Sequence, residues 1–203
     1  MSLIVLAAAI VLAPDARAEL TTNGDFETGD TTGWTSFAFG SQTFSLTTDA
    51  KSGSFAGELF NTIEASPLVI KQANIGAGTV IAGELLTISF DAKGEGTNGG
   101  VAFAEFFSER AGGGVSSSEI LGGAPLALTN QYQNFSFTRA AGPDVGGGVT
   151  LQFNAVTGAN AGSTSRLLID NVSVRRVSAV PEPGSTILLG LAGCGFLVRR
   201  RRR

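Results

Sequence analysis

The stretch Leu86-Thr87-Ile88-Ser89-Phe90-Asp91 decides the fold class. Its apolar residues Leu86, Ile88 and Phe90 alternate with polar ones, and a period of two puts all three on one face of an extended strand. The same alternation occurs in Phe135 and Phe137 beside Gln133, and in Leu151 and Phe153. Two sheets with such inner faces bury them only against each other. Outward from this stretch, runs of β-branched and aromatic residues predict strands over 43–48, 68–74, 85–93, 101–107, 131–139, 149–156 and 167–174. The glycine-rich segments 94–100, 112–114 and 146–148 read as surface loops, because glycine takes positive φ without steric cost. A phosphate-cradling loop would need a strand-to-helix setting and a nearby lysine, and neither is visible. No long helix and no internal repeat stands out, so the expectation is an all-β sandwich.

Both ends read as processing segments. Met1 to Leu12 is an apolar run followed by Pro14 and by Ala16-Arg17-Ala18, an A-x-A-like cleavage site. It predicts a signal peptide over 1–18 and a mature start at Glu19, although the usual basic stretch before the apolar run is missing. A buried helix is the alternative reading of this run. The expected ectodomain, 19–179, is roughly 160 residues, enough for one domain with its own core. Between Glu19 and Val180 stand 8 Lys and Arg against 15 Asp and Glu, a net charge of −7. Such an acidic domain repels phosphate backbones, so nucleic acid is set aside as a partner. The chain has no histidine, which removes the commonest general base and the usual metal and nucleophile arrangements. Its one cysteine, Cys194, lies in the C-terminal apolar segment, leaving the ectodomain without a disulfide.

At the C-terminus the composition changes abruptly. Val180-Pro181-Glu182-Pro183 is followed by Gly184-Ser185-Thr186, an apolar stretch from Ile187 to Val198, and Arg199-Arg200-Arg201-Arg202-Arg203. Twelve apolar residues make about 18 Å of helix, short of a bilayer core of about 30 Å, so a span would draw on Ser185, Thr186 and snorkelling arginines. The arginines would hold the end in the cytoplasm, leaving the sandwich and the Pro-Glu-Pro element outside. The prolines keep that element extended and free of amide donors, as suits presentation to an enzyme. The three parts, in this order at the end of the chain, resemble the PEP-CTERM sorting signal over 180–203. That resemblance implies recognition by an exosortase-like membrane enzyme, removal of the tail, and delivery to the cell surface or an exopolysaccharide matrix. An ordinary membrane anchor is the alternative. Cys194 reads as a small apolar residue of the helix, with lipidation as the other possibility.

The ectodomain opens with Asn23-Gly24-Asp25-Phe26-Glu27, then Gly33-Trp34, continues with Lys51-Ser52-Gly53-Ser54, and closes with Ile169-Asp170-Asn171-Val172-Ser173-Val174. This pattern resembles the galactose-binding-like jelly rolls of bacterial carbohydrate-binding modules. The resemblance implies a jelly-roll β-sandwich and a structural Ca²⁺ beside the first and last strands. Glu27 and Asp170 would be its side-chain ligands, with Asp25 and Asp49 as further candidates and carbonyls of the 51–54 turn completing the oxygen shell. The alternative is that Asp25 and Glu27 are solvated turn residues and Asp170 satisfies a local backbone donor. Trp34 is expected to pack near the core rather than stack on sugar. Phe103, Phe106, Phe107, Phe135, Phe137 and Phe153 are core candidates by alternation, and with one Trp and one Tyr132 the chain is poor in sugar-stacking rings.

Paired carboxylates are the remaining enzymatic possibility: Glu105 with Glu109, or Asp91 with Glu95. A solvated strand face accounts for such alternating acids far better, and no nucleophile motif accompanies them. The reading is therefore a non-catalytic exported protein of the cell surface or exopolysaccharide matrix, with a carbohydrate-binding module for a definable glycan as the alternative.

Overall fold

The computed structural model describes residues 18–177. The expected signal peptide, Pro-Glu-Pro element, apolar segment and arginine cluster lie outside these residues. Ten strands form: β1 (Thr35–Ser36), β2 (Thr43–Thr47), β3 (Ala56–Asn61), β4 (Pro67–Ile75), β5 (Leu85–Thr97), β6 (Val101–Glu109), β7 (Val115–Ile120), β8 (Gln133–Ala140), β9 (Gly148–Val156) and β10 (Thr164–Arg176). They build two antiparallel five-stranded sheets, in the orders β1-β4-β9-β6-β7 and β2-β3-β10-β5-β8. Among the described residues the one helical element is a single 3-10 turn, Leu121–Gly123, and no helix is long and apolar enough to cross a membrane.

The alternation in β5 works as expected. Leu86, Ile88 and Phe90 are fully buried, and so are Leu151 and Phe153 of the facing sheet. Phe90 meets Phe153 edge-on across the sandwich at 4.9 Å between ring centroids. Phe135 and Phe137 of β8 pack against this core from the sheet edge. Trp34 is buried, stacks on Phe26 at 5.8 Å, and donates its Nε1–H to the Asn23 carbonyl. Its role is structural. Phe103 and Phe107 depart from expectation. In β6 it is Ala102, Ala104, Phe106 and Ser108 that are buried, so Phe103 and Phe107 lie on the opposite, outer face. Neighbours in a strand point to opposite sides, so Phe106 and Phe107 cannot both reach the core.

Two further differences have backbone causes. Strand β3 lies centrally between β2 and β10, yet its sequence Ala-Gly-Glu-Leu-Phe-Asn has weak strand character. Gly57 is needed because the Phe26 ring covers it: a Cβ there would come within 2.7 Å of the ring. Likewise the segment 94–100 is not all loop. Gly94 and Gly96 belong to β5, and the turn is confined to its end at Asn98 and Gly99. A Cβ on Gly94 would lie 2.1 Å from the Arg166 carbonyl oxygen of β10. Glycine inside a strand here marks close backbone approach.

Strand β10 is irregular between Asp170 and Ser173, where its pairing with β5 shifts register. Asn171 takes φ 51° in this bulge, and Val172 N–H donates to the Gly24 carbonyl at 2.8 Å. The opening Asn-Gly-Asp-Phe-Glu segment and the closing Ile-Asp-Asn-Val segment thus meet at one place.

Candidate functional site

Strand order brings polar and aromatic side chains together on the outer face of the β1-β4-β9-β6-β7 sheet. Register aligns Thr35, Lys71, Gln152, Glu105 and Ile120 in one row across all five strands. Directly opposite residues of antiparallel strands point to the same side. The next row holds Val69, Asn154 and Phe103, and Phe37 joins it through its N–H bond to the Val69 carbonyl at 2.9 Å. On the other side, Thr150, Phe107 and Ser118 line up.

Glu105 is the centre of this face. Its Oε2 accepts from Gln152 Nε2 at 2.6 Å and from Asn154 Nδ2 at 2.8 Å, while Gln152 Nε2 also donates to Asn154 Oδ1 at 3.1 Å. The paired amides fix the carboxylate against the sheet. Thr150 Oγ1 donates to Glu109 Oε1 one step along. Lys71 Nζ sits 5.5 Å from the centroid of the Phe37 ring, and that ring is half exposed. Phe103 and Phe107 are partly exposed on either side of Glu105. Oriented donors and acceptors flanked by accessible ring faces suit a ligand with hydroxyl edges and C–H faces.

The carboxylates considered for hydrolysis are spread along their strands and engaged with separate partners. Glu105 and Glu109 lie four residues apart in β6, about 13 Å between backbone positions on an extended strand, and each is held by its own partners, Gln152 and Asn154 on Glu105 and Thr150 on Glu109. Asp91 and Glu95 have the same spacing in β5, and Asp91 accepts from Asn134 Nδ2 and Asn171 Nδ2.

Glu27 and Asp170 face the turn at 51–55 from two sides. Asp170 Oδ2 accepts from the Lys51 and Ser52 amides at 2.9 and 3.0 Å, and its Oδ1 from Asn171 N at 2.7 Å. Glu27 Oε1 accepts from the Ser54 and Phe55 amides, both at 2.8 Å. Gly53, at φ 66°, leaves the room, since a Cβ would lie 2.5 Å from the Glu27 carboxylate. Asp25 accepts from the Glu27 amide at 3.3 Å, and Asp49 forms an ion pair with Lys93 at 2.6 Å. Among the described residues no group of three or more His, Cys, Asp and Glu is gathered to hold a metal ion. The donor set is therefore divided in its fit to calcium. Asp170 is wholly buried, and burial, reinforced by the nearby Asp91 charge, pushes its carboxyl above the usual value against three backbone hydrogen bonds. That is a site for positive charge. Yet the turn presents amides to both carboxylates, so bound calcium would require its carbonyls to rotate inward.

Tyr132 lies on the other sheet's side, its hydroxyl donating to the Asp49 carbonyl at 2.6 Å and its ring covered by Lys93 Nζ at 4.7 Å. Burial and the surrounding carboxylates raise its hydroxyl well above the ordinary phenol value.

Comparison with known proteins adds two findings. Residues 179–203 match the PEP-CTERM protein-sorting motif. The fold is similar to the CBM22-1 xylan-binding domain of Paenibacillus barcinonensis Xyn10C, at TM-score 0.57 and 19% identity over 83% of this chain and 100% of that domain. It is also similar to TmCBM61 in complex with β-1,4-galactotriose, at TM-score 0.50 and 17% identity, over 79% and 99% of the two chains. A third likeness is to the enzymatically active domain of Bacteriophage CBA120 tailspike protein 4, at TM-score 0.61 and 16% identity over 78% of this chain. The chain spans 21% of that tailspike chain. A comparison with the curated proteins found no match.

Proposed function

We propose that this is an exported, non-catalytic protein of the cell surface or exopolysaccharide matrix whose sandwich binds a polysaccharide through the outer face centred on Glu105. The PEP-CTERM motif at 179–203 implies export through a membrane-held intermediate and processing by an exosortase. The observation that carries the binding reading is the Lys71, Gln152, Glu105 row with Asn154 beside it and Phe37, Phe103 and Phe107 around it. Stacked rings take the C–H faces of pyranose units, and the fixed carboxylate and amides exchange hydrogen bonds with hydroxyls. One lysine against two glutamates gives this face no excess positive charge, which favours a neutral polymer over a polyanion. The sandwich of carbohydrate-binding modules supports the same reading. Calcium is proposed as a ligand of the fold only, supported by the buried Asp170, and takes no part in binding.

Affinity electrophoresis through gels containing xylan, β-1,4-galactan or the producing cell's own polysaccharide tests the proposal. Retardation that Glu105→Gln weakens at least tenfold supports it. Unretarded migration in all three gels, with no hit on a glycan array, overturns polymer binding and leaves a spacer protein. Intact mass of the native protein, in cells with and without the processing enzyme, tests the sorting half separately: loss of the residues beyond about Pro183 is expected only where the enzyme is present.

A further inference from the structure

Three aliphatic side chains stand open at the point where the sorting segment leaves the sandwich. Ile81, Leu85 and Val177 expose 68%, 48% and 36% of their surfaces. They are neighbours in space. Val177 N–H donates to the Leu85 carbonyl at 2.9 Å, and Glu84 and Ile81 close a turn on each other, backbone to backbone at 3.1 Å and Ile81 N–H to Glu84 Oε2 at 3.1 Å. Arg176 joins the same cluster through Glu84 at 2.8 Å and Thr79 at 2.9 Å. Arg175, its guanidinium side chain half open, pairs with Glu19 at 2.8 Å. Scattered exposed aliphatics are ordinary on a protein surface. Three of them grouped with two arginines around the exit of a membrane-directed tail are not scattered.

The tether is short. Only Ser178, Ala179 and Val180 separate Val177 from Pro181, and ten residue steps separate Val177 from the start of the apolar segment at Ile187. At 3.3–3.6 Å per extended residue, this pole cannot lie more than about 36 Å from that segment. The N-terminal end leaves by the same pole, since Leu20 N–H donates to the Val174 carbonyl at 2.9 Å.

We propose that this pole is a membrane-contact surface: in the membrane-held form, Ile81, Leu85 and Val177 dip into the outer-leaflet interface, with the Arg175–Glu19 and Arg176–Glu84 pairs at headgroup level. The proposal rests on the membrane-held intermediate of the preceding section and adds the orientation of the sandwich on it. Apolar side chains bordered by polar, charge-balanced groups are what the boundary between acyl chains and headgroups accepts. Seated this way, β10 points along the membrane normal, and the Glu105 face looks sideways, clear of the lipid.

The test uses the full chain, tail included, with Cys194→Ser, in vesicles of phosphatidylethanolamine and phosphatidylglycerol that contain a spin-labelled lipid. One environment-sensitive fluorophore is attached through Ile81→Cys, or through Ala161→Cys in the turn at the opposite pole, about 40 Å away along the 13 residues of β10. The proposal expects quenching at position 81 at least threefold stronger than at position 161. Equal quenching at both positions, in protein that floats with the vesicles, overturns it while leaving the membrane-held reading intact. Failure of the chain to float overturns both. Emission from position 81 that shifts to the blue with protein concentration in the absence of lipid assigns the patch to a second copy of the chain, and also overturns the lipid proposal.

Discussion

The outer faces of the two sheets deploy their polar groups differently. On the β2-β3-β10-β5-β8 side, charges are matched: Lys93 with Asp49 at 2.6 Å, and Arg166 with Glu58 at 2.5 Å. Phe60 is exposed on that side as well, and Tyr132 has Lys93 over its ring, as Phe37 has Lys71 on the other face. On the β1-β4-β9-β6-β7 side, Glu105 is held by neutral amides rather than by a cation, and Phe37, Phe103 and Phe107 lie around it. The Glu105 carboxylate is steadied by neutral amides with no cation beside it among the described residues, whereas the Asp49 and Glu58 charges are each offset by a paired cation. What separates the two faces is therefore whether a carboxylate at the centre has its charge offset within the sheet.

The largest expected effect removes what the two faces share. Phe90→Ala should destabilise the sandwich by about 3–5 kcal/mol, read as a shifted urea midpoint, and should weaken both faces together. Next, Asp170→Ala strips acceptors from the Lys51, Ser52 and Asn171 amides, at a cost of about 2–4 kcal/mol by the same measurement. If calcium is bound there, millimolar calcium raises the melting temperature of the unaltered protein and a chelator lowers it, and Asp170→Ala abolishes the response. An unchanged melting temperature would show that the amides alone suffice. Glu105→Gln should then cost about 1.4 kcal/mol or more of glycan binding while leaving the urea midpoint within about 0.5 kcal/mol. Lys93→Ala on the other face should leave gel retardation unchanged, and a loss there as large as that from Glu105→Gln would break the comparison.

The smallest effect concerns pH. Burial alone would raise the Glu19 carboxyl, but hydrogen bonds from Ser173, Thr21 and Arg175 hold it at about 2, below its ordinary 4.5. A depressed carboxylate contributes stability that is present above its unfolded value and lost as pH falls through the folded one. The second sheet, where Glu19 clasps the end of β10, should therefore lose stability between about pH 5 and pH 2. Because more than a third of the Glu19 side chain is exposed, solvent screens the effect. Glu19→Gln should flatten that part of the urea-midpoint profile, and an unaltered profile would exclude Glu19 as its source.

Alternation carried the sandwich and most of its strands because one-face burial is a local property of sequence. It missed β3, where Gly57 answers to the Phe26 ring rather than to strand propensity, and the mostly exposed β7, whose Val-Ser-Ser-Ser-Glu-Ile has no apolar face to bury. It also misplaced Phe103 and Phe107, which needed only the observation that Phe106 occupies the inward position. Glu105 was visible as a strand acid, but its partners Gln152 and Asn154 were not, because β6 and β9 are neighbours in the sheet and 40 or more residues apart in sequence. The meeting of Glu27, the 51–55 turn and Asp170 was legible through the family resemblance. The direction in which the turn's peptides face was not, since it depends on φ at Gly53.

The adjacency of Glu19 and Arg175, at the two ends of the described sandwich, has one more consequence. Glu19 bridges to Arg175, and Leu20 bonds to Val174, so a linker of a few residues could join end to beginning without moving a strand. New ends opened in the turn between Gly158 and Gly162 would leave every ladder of both sheets intact. Such a circular permutant would keep the Glu105 face yet hang from the opposite pole when the sorting tail is appended there. Where the ribbon is cut thus sets which pole the tail can hold near a membrane, while the open Ile81, Leu85 and Val177 set which pole is suited to lie there.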